Sequence, residues 1–402
     1  MKSAKYFILN RLSGSLGRGI LSIVLTQRLK RLLSRPVRFK LESSFSSNPN
    51  EMTPEEAVII SRLINFWNAS QEFSSSTSSE NSPWHDIERA QTKLSELMRE
   101  GDSERIFQYL ISAPSHAICN GVLQGDSETR MLRSNRRYRN LHSRITLNRF
   151  VNLLEGIGNG YLVQNPEQGI WGYGKDFDFN SALTQLDDEF GVEVIPPSIY
   201  NGLLQTKIGS RYFNQVDIMA LNASLQIRNV LKGSHDKTIL EIGAGCGVTA
   251  YWCTKLGLGP IQIVDLPHVA VLQAFYLLKV LPESNILLFG ESHNLKTVDI
   301  TIYPHLAFDQ LPYQTSPRLV FNQDSFAEMS ETVVKEYLKW IMKIEASFLL
   351  SINHESAATY NTLLVEQVIL SKLIQLEPAF LPVYRHPNWV RMGYIDQLWR
   401  LR

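Results

Sequence analysis

The sequence of 402 residues contains only three cysteines, Cys119, Cys246 and Cys253. Their number and spacing match neither a disulfide framework nor a cysteine-based metal site, so both classes of protein are excluded and no metal ion is predicted. We expect Cys246 and Cys253 to be reduced and buried, as they would be in a reducing cytoplasm, and the chain is predicted to be cytoplasmic.

Long hydrophobic runs are also missing from the first 40 residues. The longest, at 20–25, is far too short to cross a bilayer, and no small-residue cleavage site indicates a signal peptide. The same 40 residues contain ten Lys or Arg and no Asp or Glu. This segment is interpreted as a basic arm or a helix packed on the body. The alternative is a basic amphipathic helix in peripheral contact with an anionic membrane.

The chain as a whole has almost no net charge, because it contains 40 basic and 39 acidic residues. A near-neutral chain does not attract a polyanion, and nucleic acid is not expected as a partner. Residues 130–149 nevertheless contain seven arginines and no acid. This arginine-rich segment is interpreted as a solvated helix face, and the alternative is that it receives phosphates or an acidic glycan.

The strongest positive signal is the stretch TILEIGAGCG, residues 238–247. It predicts a buried strand at 238–242, a glycine loop at 243–247 and a helix at 248–256. This geometry presents backbone N–H groups and a helix N-terminus to a ligand. The dinucleotide-binding fingerprint would require glycine at position 248, where this chain has Val248. A nicotinamide-dependent oxidoreductase is therefore the weaker alternative.

Two acidic residues indicate which ligand the loop binds. Glu241 lies two residues before Gly243, where a carboxylate would repel a pyrophosphate but could bind a cation. Asp265 ends the second strand, where a carboxylate can accept hydrogen bonds from both ribose hydroxyls. S-adenosylmethionine carries an ammonium and a sulfonium group and no phosphate. We therefore predict that Glu241, Gly243, Gly245 and Asp265 bind S-adenosyl-L-methionine.

Strands alternate with helices after residue 238, which predicts an α/β fold with a parallel sheet. The N-terminal third is predicted to be mostly helical, with a helix start at Thr53-Pro54-Glu55-Glu56 and a flexible connection at 74–79. The predicted domains are a basic arm at 1–50, a helical domain at 51–195 and a catalytic domain at 196–402. Strands are expected at 238–242, 260–264, 286–289, 318–322, 347–352, 380–385 and 393–400, helices at 211–231, 248–256, 268–281, 331–345 and 362–376, and an irregular segment at 291–317.

Three motifs in the C-terminal half resemble the bacterial sugar O-methyltransferase family, within the class I S-adenosylmethionine-dependent methyltransferases. They are VDLPHV at 264–269, FNQDSFAEMS at 321–330 and SINHE at 351–355. The resemblance implies a Rossmann-like sheet with an antiparallel last strand, and methyl transfer to a sugar hydroxyl in polysaccharide or glycolipid biosynthesis. The acceptor partner would be a sugar or glycan. A non-catalytic methyltransferase-like scaffold in a membrane-associated glycan assembly complex is the other alternative.

Polar residues directly after the fourth and fifth predicted strands are the candidates for catalysis. A sugar hydroxyl is a poor nucleophile until a base takes its proton, and histidine is the natural base near neutral pH. We predict His354 as that base, with Glu355 orienting it. Asp324 is the second candidate, as base or as acceptor for the hydroxyl, and Asn322 is predicted to bind cofactor. Structural capping roles are the alternative for His354 and Asp324.

Overall fold

The computed structural model of the chain describes residues 51–77, 92–119, 122, 126–158, 178–199, 205–292, 297–311, 316–355 and 368–402. The predicted basic arm at 1–50, with its proposed membrane contact, lies outside these ranges. Within them, no helix is both long enough and apolar enough to cross a membrane.

The N-terminal part is helical, as predicted. Helix α1, Pro54–Thr77, begins with a capping box in which the Thr53 amide donates to Glu56 Oε2 at 2.9 Å and the Glu56 amide donates to Thr53 Oγ1 at 3.2 Å. The helix continues to Thr77, so the prediction of a flexible connection is wrong for residues 74–77. The helices that follow are α2 (Thr92–Glu100), α3 (Ser103–Ile111), α4 (Asp126–Ser134), α5 (Arg136–Gly156) and α6 (Phe179–Phe190).

The helix expected at 211–231 begins later than predicted. Arg211–Phe213 forms strand β2, which pairs antiparallel with β1, Thr206–Ile208. Asn214 then starts helix α7, Gln215–Val230, through a capping box with Asp217 in which both hydrogen bonds are 2.8 Å. The capping box explains the boundary, because it holds Asn214 in an extended conformation and leaves the residues before it free to pair as a strand.

The central sheet has eight strands in the order β5-β6-β4-β3-β7-β8-β10-β9. The first six run parallel, while β10 pairs antiparallel with both β8 and β9. This confirms the predicted α/β class, with a Rossmann-like, mostly parallel sheet and an antiparallel last strand. The strands are β3 (Ile239–Ile242), β4 (Ile261–Asp265), β5 (Ile286–Leu288), β6 (Ile300–Pro304), β7 (Leu319–Gln323), β8 (Phe348–His354), β9 (Phe380–Pro387) and β10 (Tyr394–Leu401).

Strand β6 corrects the expectation of an irregular segment at 291–317. It lies between β4 and β5 and pairs with both. Ile300 and Ile302 are fully buried in the core, whereas the short length of the strand and Pro304 at its end weakened its signal in the sequence.

Helices cover both faces of the sheet, as expected for parallel strands. Helices α8 (Val248–Lys255) and α9 (Pro267–Val280) pack on one face together with α1, and the ammonium group of Lys279 in α9 pairs with Glu56 of α1. The predicted boundary between helical and catalytic domains stays a prediction, although side chains from both parts share this hydrophobic core. The opposite face packs on α10 (Ser325–Glu328), α11 (Glu331–Lys343) and α12 (Leu370–Ile374). Helix α12 corresponds to the helix predicted at 362–376, of which residues 362–367 lie outside the described ranges.

Candidate active site

The predicted site residues lie at the carboxyl ends of four adjacent strands, β4, β3, β7 and β8. The strand order reverses here, since the chain moves from β3 to β4 on one side and later returns to β7 on the other. Ligands of open α/β sheets bind at such a switch point. Of the residues predicted from the sequence, the structure brings Glu241, Asp265, Asn322, Asp324 and His354 to this edge.

The glycine loop connects β3 to α8 in a conformation that favours glycine. Gly243, Gly245 and Gly247 have φ angles of 73°, 57° and 78°. A Cβ atom on Gly243 would lie 2.1 Å from Ser325 Oγ, whereas one on Gly245 would meet nothing closer than the Val122 carbonyl at 3.6 Å. Gly243 therefore allows helix α10 to approach the loop, while a Cβ on Gly245 would only reach van der Waals contact with Val122.

Gly243→Ala is expected to destabilise the protein more than Gly233→Ala does. Both glycines have a positive φ, 73° and 78°, but a Cβ on Gly233 meets nothing within 4 Å. Left-handed backbone costs an alanine roughly 1–2 kcal/mol in either variant, and the contact with Ser325 adds about 1–3 kcal/mol to the first. Urea unfolding measures the difference, and equal losses in the two variants would contradict the close packing at Ser325.

Strands β3 and β4 place two carboxyl groups beside this loop, the buried Glu241 and the partly buried Asp265. Burial and the neighbouring Asp265 carboxyl raise the pKa of Glu241 to about 8. Burial raises the pKa of Asp265 to about 7, although the Leu266 amide, Gln273 and the loop amides of Ala244 and Gly245 bond to it and oppose the rise. Gln273 Nε2 donates to Asp265 Oδ2 at 2.5 Å.

No basic side chain among the described residues compensates this pair of acids. Burial and the Asp265 carboxyl both raise the pKa of Glu241, because both disfavour its negative charge. Neither carboxyl group forms an ion pair with the described Lys, Arg or His residues. Because buried carboxylates need a positive partner, this pocket favours a ligand that brings positive charge and hydroxyl donors.

Asn322 lies at the end of β7 and is fully buried. Its Nδ2 donates to the Ile242 carbonyl at 2.8 Å and to Ser325 Oγ at 2.5 Å, and its Oδ1 accepts from Asn353 Nδ2 at 2.8 Å. Both ends of this amide are therefore engaged by the protein. Asn322 ties β3, β7 and β8 together just below the loop, which makes it a positioning residue, and its predicted contact with cofactor stays a prediction.

Asp324 adopts an unusual backbone conformation, with φ 69° and ψ −43°. A residue other than glycine rarely occupies this region, and such strain is concentrated at functional sites. Its carboxylate accepts a 2.5 Å hydrogen bond from Arg391 Nη1, and Arg391 Nη2 donates to the Tyr394 hydroxyl at 2.6 Å. The guanidinium also lies 3.6 Å from the centre of the Tyr394 ring. Arg391 and Tyr394 thus fix the orientation of the Asp324 side chain.

His354 ends β8 and completes an acid–base cluster with Asp324, Glu328, Arg391 and Tyr394. Its ring is 5.7 Å from that of Tyr394, and its Nδ1 is buried without a hydrogen-bond partner. Burial lowers the pKa of His354, Arg391 lowers it further, and Asp324 partly opposes them. Burial and Asp324 raise the pKa of Glu328 to about 7 despite Arg391. A neutral imidazole and a carboxyl group that titrates near neutrality are both suited to proton transfer.

Glu355 does not orient His354, which corrects that expectation. Its carboxylate pairs with both terminal nitrogens of Arg385 and accepts a 2.9 Å hydrogen bond from Gln397 Nε2. Burial alone would raise the pKa of Glu355, but the hydrogen bonds from Arg385, Ser371 and Gln397 lower it to about 2. Successive residues of a strand point to opposite faces, so a side chain adjacent to His354 in sequence points away from it.

The sequence did not indicate three members of the site. Arg391 and Tyr394 lie around the turn from β9 to β10, about 70 residues after Asp324, and nothing in their local pattern predicts an approach to it. Gln273 belongs to a helical run whose apolar neighbours predict a core helix, and only its position eight residues after Asp265 could have indicated the contact. In the described part of the chain, no group of three His, Cys, Asp or Glu residues is arranged to hold a metal ion.

Neither a family model nor a curated protein matches the chain. Solved methyltransferase structures show weak similarity. The glycopeptide N-methyltransferase MtfA is 13% identical over 44% of this chain and 90% of its own, with a TM-score of 0.32. The ribosomal protein L11 methylase of Lactobacillus delbrueckii subsp. bulgaricus is 12% identical over 52% and 91%, with a TM-score of 0.31. An O-methyltransferase family protein of Burkholderia thailandensis is 9% identical over 46% and 57%, with a TM-score of 0.32.

Proposed function

We propose that this protein is an S-adenosylmethionine-dependent O-methyltransferase that acts on a sugar hydroxyl in polysaccharide or glycolipid biosynthesis. The observation that carries the proposal is the pair of acids at the ends of β3 and β4, the buried Glu241 and the partly buried Asp265, which has no basic partner among the described residues and lies beside the glycine loop. The acid–base cluster that contains Asp324 lies next to the same loop, because Ser325 contacts Gly243 and Asp324 is the residue directly before Ser325.

The residues of the first pocket fit S-adenosylmethionine. Asp265 would accept hydrogen bonds from the two ribose hydroxyls, and Glu241 would attract the ammonium end, directly or through water. Of the two loop glycines proposed to bind the cofactor, Gly245 would let a ligand approach the backbone, whereas Gly243 is covered by Ser325. When bound, the cofactor supplies an electrophilic methyl group, and the protein's own contribution is to hold it and to prepare the acceptor.

His354 is the proposed general base. Its lowered pKa keeps the imidazole neutral at pH 7, so it can take the proton from an acceptor hydroxyl. Asp324, whose carboxylate is held by Arg391, would accept a hydrogen bond from the same sugar and position it for the transfer. Glu328 is the alternative base, because its pKa is also near neutrality.

The sugar acceptor is proposed from the resemblance carried by residues 264–269, 321–330 and 351–355. A methyl-transfer assay with S-adenosylmethionine labelled on its methyl group tests it, using uronic acids, sugar phosphates, nucleotide sugars and neutral sugars as acceptors. Labelled product with at least one sugar supports the proposal. Binding of the cofactor without transfer to any sugar would favour the scaffold, and binding of NAD instead would favour the oxidoreductase.

Binding of S-adenosylhomocysteine is expected to release protons near pH 6.5. The raised pKa values of Glu241 and Asp265, about 8 and 7, mean that both groups are largely protonated in the free protein at that pH. The ligand favours their charged forms, so affinity should increase as pH rises from 5.5 to 7.5. It should level off above about pH 8, where Glu241 and Asp265 become ionised in the free protein as well.

Calorimetry in two buffers with different ionisation enthalpies counts the released protons. Binding at pH 6.5 with the same heat in both buffers would contradict the assignment of a cationic ligand to this pair of acids.

A further inference from the structure

Helix α10 begins in an unusual way, because the residue at its cap position does not cap it. The first backbone amides of a helix have no partner inside the helix, and an aspartate directly before it usually accepts from the second or third of them. Asp324 has that position, yet its side chain forms no such hydrogen bond. Its carboxylate accepts from Arg391 Nη1 at 2.5 Å instead. The amides of Phe326 and Ala327 therefore need another acceptor.

Two asparagines on the neighbouring strands supply it. Asn322 Oδ1, on β7, accepts from the Phe326 amide at 3.3 Å. Asn353 Oδ1, on β8, accepts from the Ala327 amide at 3.4 Å. Phe326 and Ala327 are both fully buried, where an amide without a partner would be costly. The cap of α10 thus comes from the sheet below the helix.

Asn353 is held firmly enough to serve as a cap. It is buried, and its Nδ2 donates to Asn322 Oδ1 and to Ser351 Oγ, both at 2.8 Å. Both ends of the amide are therefore engaged, and its oxygen is fixed toward α10. One side chain connects β7, β8 and the start of the helix, and it lies next to His354 in the sequence.

The backbone of Asp324 shows what this arrangement allows. A capping residue normally has an extended backbone, whereas Asp324 has φ 69° and ψ −43°, close to the rare and strained classic γ-turn. Its amide donates to the Ile352 carbonyl at 3.1 Å. If the turn relaxed to the extended conformation, Asp324 could cap α10 itself, but its carboxylate would then leave Arg391.

We propose that Asn353, together with Asn322, replaces Asp324 as the cap of α10 and thereby keeps the Asp324 carboxylate turned toward the methyl acceptor. Asn353 is a positioning residue, because both ends of its amide are bonded to the protein. The inference rests on the proposed function only for its statement that Asp324 contacts the acceptor.

The first test measures the strain at position 324 by urea unfolding. Glycine tolerates a positive φ better than alanine, so Asp324→Gly should have an unfolding constant about fivefold smaller than Asp324→Ala. Both variants lose the bond to Arg391, which leaves the backbone as the difference between them. In the Asn353→Ala background the advantage of glycine should disappear, because the turn can relax. An unchanged fivefold ratio would overturn the proposal.

Glu345 provides the matched control, since it also has a positive φ, 53°, and lies after α11. The ratio between Glu345→Gly and Glu345→Ala should be the same with and without Asn353→Ala. Asn353→Ser, which keeps a hydroxyl, replaces Asn353→Ala if that variant does not fold. These unfolding measurements require no methyl transfer, so their result is independent of the proposed function.

The second test compares the loss of two caps. Asn353→Ala should lower the rate of methyl transfer to the best sugar acceptor at least tenfold, with the affinity for S-adenosylhomocysteine within twofold of wild type. Asn214→Ala removes the side-chain cap of α7 and should cost similar stability, yet leave the rate within twofold. Equal losses of rate in the two variants, or a full rate in Asn353→Ala, would contradict a positioning role.

Discussion

Asp265→Ala is expected to weaken binding of S-adenosylhomocysteine about 100-fold. Two hydrogen bonds from ribose hydroxyls to a charged carboxylate contribute about 1.5–3 kcal/mol each, and each 1.4 kcal/mol corresponds to a factor of ten. The expected loss of affinity lies at the lower end of this range, because ionising Asp265 costs free energy: burial raises its pKa to about 7. Calorimetric titration with S-adenosylhomocysteine, and separately with NAD, measures the effect.

Asp265→Asn separates the loss of charge from the loss of shape. The amide retains one acceptor oxygen and the approximate volume of the carboxyl group, so we expect a loss of only about tenfold. Asp188→Ala, in which an exposed carboxylate of α6 is removed, should leave affinity unchanged. If the wild-type protein binds S-adenosylhomocysteine and both Asp265 variants bind it equally well, Asp265 does not hold the ribose. If the wild type prefers NAD, the cofactor proposal itself fails.

The grouping of residues in the pocket proposed for the cofactor was largely predictable from the sequence, because these residues lie close together along the chain. Glu241, Gly243 and Gly245 lie within five consecutive residues, and Asp265 ends the next strand of the sheet. A strand, a glycine loop and a helix that leads to a parallel strand have one favoured handedness. The parallel pairing of β3 with β4 then brings Asp265 beside Glu241. The raised pKa values of the two acids follow from burial, which the apolar residues around them in each strand also indicate.

The acceptor side was less predictable, because it is assembled from distant segments. Asp324 meets Arg391 only through the pairing of β8 with β10 and the turn that precedes β10. Position along the chain was also misleading for Glu355. It follows His354 directly, yet it belongs to a separate cluster with Arg385 and Gln397 on the other face of the sheet.

His354→Gln is expected to lower the rate of methyl transfer by 10²–10⁴-fold while leaving the affinity for S-adenosylhomocysteine within twofold. This range is the usual contribution of a positioned general base. His354 is the last residue of β8, whereas the two acids proposed to bind the cofactor end β3 and β4, so only proton transfer should become slower. Single-turnover rates with the best sugar acceptor measure the effect, and His235→Gln, which changes an exposed histidine, is the control.

The pH dependence distinguishes His354 from Glu328 as the base. A histidine works as a base above its pKa, and burial lowers the pKa of His354 below its usual value of about 6.5. The wild-type rate should therefore stay constant from pH 8 down to about 6.5 and fall only below that, and His354→Gln should remove this fall. If Glu328 is the base, the rate falls near pH 7, where its own pKa lies, and Glu328→Gln causes the larger loss. A full rate in His354→Gln would rule out His354, and full rates in both variants would show that neither residue takes the proton.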